Sequence, residues 1–392
     1  MSSLYVHIPF CLKRCIYCDF VSGIYDPKKA EQYIAALRKE IALISQEPNL
    51  KISPHPSLPK RGKFETLFIG GGTPTALSAE ALRELIKHIF SHIAFADNYE
   101  ATIEANPGTL NKEKLTAIRE AGMNRISIGI QSFNDEELKI LGRLHSSSVA
   151  EQAVHLARDA GFENIGIDLI YGIPGQGMES WNKTLEKAVK LKPRHISAYE
   201  LTVEKGTVLY ARHQEGILKS LDDDLIAEMY NRTIDYLASE GYVHYEISNF
   251  AMAGYSCRHN LNYWDRGEYY GVGLGAHSFI NGNRYYNTGN IEDYLKAVSE
   301  KRSPVKATEH ITEDKALSEA VFLGMRKTEG INVESFFKRY GLNILSHYQY
   351  EIADMQEKGL IEITNSECSY ETNLKLTRRG LLLSNEVFVK FI

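Results

Sequence analysis

Cysteine is scarce in this chain and unevenly placed. Five cysteines occur in 392 residues, and three of them, Cys11, Cys15 and Cys18, sit together near the start. An odd trio of thiols in a chain of this length argues against a disulfide framework. Long apolar runs are missing, so nothing reaches the roughly 20 residues that a membrane-spanning helix needs. Met1 to Tyr5 lack the basic region and apolar core of a secretion signal. Excess positive charge is absent too: the net charge is −5 and the isoelectric point about 6.3, which gives no global reason to expect a nucleic-acid partner. What is present, 43% hydrophobic and 24% charged residues, fits a soluble protein of two or three domains. A cytoplasmic location is expected, because thiols stay reduced there.

The trio has the spacing C-x3-C-x2-C. A structural zinc site usually closes with four ligands, often as paired C-x2-C units, and Cys257 and Cys368 lie far away and alone. A four-iron cubane takes one thiolate per iron. Three thiolates leave one iron open to a small chelating molecule, which suits catalysis or activation better than plain electron transfer.

Strand-like runs alternate with helical periodicity up to about residue 200. Strands are expected at Leu4–Pro9, Thr66–Gly70, Ala101–Ala105, Arg125–Ile130, Ile165–Ile170 and His195–Leu201. Several read as nearly continuous apolar runs, as buried parallel strands do. Asp26-Pro27 opens the first helix, whose buried stripe is Ala30, Ile34, Leu37, Ile41 and Ile44. Six β/α units predict an α/β fold with right-handed crossovers. Two units short of closure, they give an open, partial (β/α)6 TIM-like barrel over residues 1–205. Glu47 to Lys63, with four prolines, reads as a surface loop.

After residue 205 the rhythm stops. A helix is expected at Asp222–Ser239, then a Gly/Tyr/Asn-rich region, Tyr242 to Asn290, too aromatic for a linker; residues 206–305 form a barrel-associated region. In residues 306–392, helices at Asp314–Lys327, Val333–Tyr340 and Leu345–Lys358, strands at Leu360–Thr364 and Asn373–Leu376, and a helix at Thr377–Phe388 predict a winged-helix-like domain. Its candidate recognition helix carries Glu351, Asp354 and Glu357, which disfavour phosphate contact and argue against nucleic acid.

In β/α barrels the working residues gather at the C-terminal ends of the strands. Gly70-Gly71-Gly72-Thr73-Pro74 follows the second strand; its glycines either admit a ligand to the backbone or make a tight turn. Glu104 and Asn106-Pro107 follow the third strand, Gln131 and Arg143 the fourth, and Asp168 leaves the fifth. A carboxylate emerging from an apolar strand needs a partner, so Asp168 is a site candidate or a turn cap.

Together these features resemble the radical S-adenosylmethionine (SAM) superfamily, with Tyr17 before the third cysteine and Gly70 to Thr73 as its glycine motif. Leu4 to Cys11, Gly70 to Thr75 and Ile167 to Pro174 resemble the oxygen-independent coproporphyrinogen III oxidase group. The resemblance implies a [4Fe-4S] cluster on Cys11, Cys15 and Cys18. It also implies SAM contacts from Tyr5, Tyr17, Gly71, Gly72, Thr73, Glu104, Gln131, Arg143 and Asp168, with the carboxylates toward the ammonium and ribose hydroxyls and Arg143 toward the carboxylate. Two departures point elsewhere in that group. Phe20 stands where the oxidase has a further cysteine, and only ten residues precede Cys11. His259-Asn260-Leu261-Asn262-Tyr263-Trp264 is similar to the HNxxYW motif of the HemW haem chaperone family.

That likeness implies haem as a ligand and a haem-acceptor protein, such as a membrane-bound respiratory enzyme, as partner. A cluster-dependent homodimer and peripheral membrane association come with it. His259 reads as an iron ligand with Tyr263 and Trp264 packed on the macrocycle, or as a buried histidine that positions a loop. His277 is a second candidate ligand, and Cys257 reads as a packed, inert thiol. Radical decarboxylation of coproporphyrinogen is the alternative function, against which Phe20 and the short N-terminus count.

Overall fold

The computed structural model describes residues 2–45, 63–365 and 371–392. Most of the expected proline-rich loop, and Cys368, lie outside the described residues.

The six expected strands form as β1 (Ser2–Ile8), β2 (Phe64–Gly71), β3 (Phe95–Ala105), β4 (Arg125–Gln131), β5 (Asn164–Tyr171) and β6 (His195–Glu200). They lie side by side in chain order, all parallel, as a partial barrel. The sheet does not stop at six. The Gly/Tyr/Asn-rich region contributes β7 (Val243–Glu246), β8 (Asn249–Ala251), β9 (Glu268–Val272), β10 (His277–Ile280) and β11 (Asn283–Asn287), and β12 (Val305–His310) follows. β9 pairs parallel to β1 and extends that edge to β10, β11 and β12, while β8 and β7 cap the edge at β6. Sheet edges left bare invite mispairing, and this region covers both.

The strands are not uniformly apolar. Leu67, Ile69, Ile103, Ile126, Ile128, Ile167, Leu169 and Ile196 point to one face and are fully buried in the main core. The alternate positions carry Ser3, His7, Thr66, Thr102, Arg125, Ser127, His195 and Ser197, also buried. Because strand side chains alternate between faces, one face packs on helices and the other makes a polar interior. Register aligns the polar rows: Glu104 lies beside Ser127, and Asp168 beside Ser197.

Helix Pro27–Ser45 forms with the expected stripe buried. The stripe also takes in Glu40, whose carboxylate accepts from Gly273 N–H at 2.9 Å and from the Tyr294 hydroxyl. The C-terminal part has three short strands, Ile331–Asn332, Ile361–Asn365 and Thr372–Leu376, beside its helices. The helix expected at Leu345–Lys358 is broken at Tyr348, which leaves helical geometry (φ −107°, ψ 33°) and sets its ring 5.3 Å from Phe391. Ion pairs fasten this part to the sheet. Glu319 accepts from Arg266 at 3.0 Å and from Arg284 at 2.6 Å, and Arg339 donates to the Asp265 and Arg266 carbonyls. Among the described residues no helix is long and apolar enough to cross a membrane.

Trp181 is fully buried and donates to the Thr233 hydroxyl at 2.9 Å, joining two helices behind the barrel. Trp181→Ala is expected to cost about 3–5 kcal/mol, read as a lowered urea midpoint. A change under about 1 kcal/mol would show that the site collapses without penalty.

Candidate functional site

A cavity of about 430 Å³ opens at the C-terminal ends of β2 to β6. It brings together Cys11, Cys15, Cys18, Tyr17, Gly71, Gly72, Thr73, Glu104, Gln131, Arg143 and Asp168, all expected from sequence. Tyr5 stands behind this wall, its hydroxyl 3.0 Å from His7 Nδ1 and its ring stacked on Phe68.

The cysteine loop is pinned from several sides. His7 Nε2 donates to the Val21 carbonyl at 2.8 Å. Thr73 Oγ1 donates to Cys11 Sγ at 3.5 Å, and Arg143 Nη1 to Cys15 Sγ at 3.4 Å. Arg143 Nη2 also donates to the Gly129 carbonyl, tying the loop to β4. Burial pushes the Cys11 and Cys18 thiols up. A cluster that binds them as thiolates must displace those protons. The thiols do not converge as a single-ion site among the described residues; a cubane takes one thiolate on each of several irons, so its ligands need not.

Gly71 and Gly72 are required where they stand. Gly71 has φ +113°, and a Cβ there would lie 2.5 Å from the His7 ring; a Cβ on Gly72 would lie 2.8 Å from the Phe10 carbonyl and 3.0 Å from Cys11 Sγ. Only glycine lets this turn approach the cysteine loop. Gln131 has φ +71° without being glycine. Strain of this kind gathers at ligand sites, here where the chain turns into the cavity.

Below the cysteines the chamber is polar. Burial pushes Glu104 up to about 8, with Asp168 adding to the rise, and its carboxylate accepts from Gly71 N–H at 3.1 Å. Burial raises Asp168 as well; hydrogen bonds from Ser197 and Ser127 and the charge of Arg125 hold the rise down. Arg125, Ser127, His195, Ser197 and Tyr199 also line the chamber and went unnoticed in the sequence, although strict polar alternation in β4 and β6 marks them. Among the described residues, Nε of Arg125, Nε of Arg143 and Nδ1 of His195 are buried without a partner. Buried polar atoms are seldom left so. Such a lining fits a polar ligand carrying both acceptors and a positive group.

The HNxxYW segment does not reach the chamber wall as a ligand set. It forms helix Arg258–Trp264, which closes the other end of the barrel. His259 is 1% exposed and stacks on Phe68 at 5.1 Å. Thr66 Oγ1 lies 2.7 Å from its Nδ1 and the Tyr263 hydroxyl 3.0 Å from its Nε2. Both ring nitrogens are therefore engaged, and burial lowers the imidazole to about 3, keeping it neutral. Iron ligation there would require breaking one of these bonds and opening the plug. Glu100 accepts from the His259 and Arg258 N–H groups, and Arg326 lies 4.3 Å over the Trp264 ring. Only Asn260 of this helix lines the cavity. Cys257 is fully buried, its thiol pushed up to about 12 by burial. His277 stands outside the cavity, 4.6 Å from Tyr286.

The class is defined by fold and site together. A family model described as the radical SAM superfamily matches residues 5–188, and one described as the HemN C-terminal domain matches residues 311–383. The solved coproporphyrinogen III oxidase (HemN) from Escherichia coli shares the fold, with a TM-score of 0.83 and 24% identity over 100% of this chain and 89% of that one. The heme chaperone HemW of Bacillus subtilis is 39% identical over 100% of this chain and 99% of its own length. That of Lactococcus lactis is 37% identical over 100% and 97%, and that of E. coli 38% over 71% and 70%. The chain belongs to the heme chaperone HemW family.

Glu104 sets a pH dependence. Its value rises from 4.5 to about 8 on folding. Below pH 4.5 the carboxyl is protonated in both states and costs nothing. Between 4.5 and 8 the unfolded chain ionises while the folded one keeps its proton, so stability falls until the folded carboxyl ionises. Glu104→Gln is expected to gain over the wild type as pH rises from 5 to 8, with the advantage gone near pH 4, in chemical denaturation of the ligand-free chain. Parallel profiles would refute the assignment.

Proposed function

We propose that this chain is a haem chaperone that carries a SAM-binding [4Fe-4S] cluster and passes haem to an acceptor protein. The family relationship over the whole chain supports this, as does a mouth where three thiols face a polar chamber. Cys11, Cys15 and Cys18 would hold the cluster. When bound, it supplies an electron and a coordination position for SAM. Glu104 and Asp168, low in the chamber, would take the ammonium and ribose hydroxyls, and Arg143 the carboxylate. Gly71, Gly72 and Thr73 would offer backbone polar groups, Gln131 its amide and Tyr17 a ring. Tyr5 would act from behind, through His7. Buried neutral Glu104 suits a cationic ligand, which would draw its proton off.

In this reading the protein works in the reducing cytoplasm, where the thiols stay free. Its acceptor is a respiratory haem enzyme held in a membrane, so the chaperone visits the membrane surface. The cluster holds two copies together as a dimer. The HNxxYW helix serves haem binding as a plug that keeps the chamber in shape.

The deciding experiment reconstitutes the cluster without oxygen and supplies haemin and coproporphyrinogen III in separate assays. Stoichiometric haemin binding without protoporphyrinogen formation is expected; turnover of coproporphyrinogen would make the chain an oxidase instead. His259→Gln, whose amide can replace both hydrogen bonds, is expected to bind haemin with wild-type stoichiometry. Loss of the Soret band with iron content and melting temperature unchanged would make His259 a ligand.

A further inference from the structure

We propose that haem lies across the mouth of the barrel, its ring on the outer face of the cysteine loop against Leu12, Phe20 and Ile24, and its propionates on Lys13 and Arg14. The inference rests on haem as the cargo and adds where and how the cargo is held.

The cavity has two tiers. The lower one is polar and withdrawn: Glu104, Asp168, Arg125, Ser127 and Gln131 are buried or half-buried. At the rim Phe20 adjoins Lys13 and Arg14, and exposed apolar groups stand on the same segment outside the cavity. Phe20 is 64% exposed, Ile24 62% and Leu12 48%. These three belong to one short segment folded on itself, because Ile24 pairs with Cys11 in a two-stranded ribbon. Two more segments meet the same loop and leave apolar groups outward. The Arg143 bond to Cys15 brings up its neighbour Leu144, 61% exposed. Leu209 N–H donates to the Ile16 carbonyl at 2.8 Å, carrying exposed Val208 with it. Large exposed apolar groups carried by the cysteine loop and the two segments bonded to it mark a binding surface.

The charges select the occupant. Lys13 and Arg14 line the cavity beside Phe20, and no ion pair among the described residues engages either. Asp19, Glu200 and Glu204 lie on the same rim, so the rim as a whole is not basic; the two cations adjoin the apolar patch. A flat apolar ring with two carboxylates on one edge matches an exposed apolar patch with two cations on one side. The plug helix supports the same placement. Both nitrogens of His259 are engaged at the plugged end, whereas the other end opens into the cavity.

The test titrates the full chain, cluster reconstituted, with haemin and with haemin dimethyl ester, which lacks the propionate charges. The double variant Lys13→Glu/Arg14→Glu is expected to weaken haemin binding about tenfold or more, the loss of one or two charge-assisted contacts. The dimethyl ester should bind wild type and double variant alike. Phe20→Ala and Leu144→Asp should weaken both ligands. Iron and sulfide content report on the cluster. If the double variant cannot hold one, Leu144→Asp, on a separate loop, decides the matter.

Wild-type binding of haemin with unchanged affinity in these variants would overturn the site and leave the chaperone reading standing. No haemin binding by the wild type would remove the chaperone reading, and this site with it. Variants that bind haemin normally but fail to pass it to an apo-acceptor, or that change mass in light scattering, would make the rim a protein-docking face and overturn the proposal.

Discussion

Burying Arg125 among ionisable neighbours constrains the rest of this molecule. The guanidinium is 2% exposed and feels Cys257, Glu100, Tyr245 and Asp168 around it. A charge so deep is tolerated only with opposite charge and hydrogen bonds at hand. Glu100 and Asp168 provide the first, and the Thr102 hydroxyl accepts a hydrogen bond from Arg125 Nη1. Glu104 and Asp168 in turn depend on Arg125, whose charge offsets part of what burial costs them. Removing the arginine would leave Glu104 and Asp168 with only their hydrogen bonds and the charge of Arg143 beside Asp168 to offset burial.

The plug helix belongs to the same constraint. Glu100 holds its first turn through backbone N–H groups, and the hydroxyls of Ser3 and Thr66 extend from the strands to the His259 ring. Beyond Trp264 the chain runs straight into the contacts that fasten the C-terminal part, through Asp265 and Arg266. One short helix thus touches the barrel floor on one side and the C-terminal attachment on the other.

Much of the fold was legible in the sequence. The six parallel strands, the first helix with its stripe and the grouping of strand-end residues around the cysteines follow from local pattern and spacing. The seventh parallel strand was not legible, because Glu268–Val272 gains its place by pairing with residues at the opposite end of the chain. The chamber lining was missed for another reason. Reading β4 and β6 as apolar runs hides the alternation that sets Arg125, Ser127, His195, Ser197 and Tyr199 on the inner face. His259 shows where residue type alone stops: a histidine beside Tyr and Trp looks the same in sequence whether it meets iron or, as in this structure, a threonine hydroxyl.

The plug helix stoppers one end of the barrel, and the cavity opens at the other. Whatever sits deepest must arrive before anything that covers the threshold, and must depart after it. With haem placed across the mouth as we propose, a small polar guest has to load first and the larger flat one second, with release in reverse.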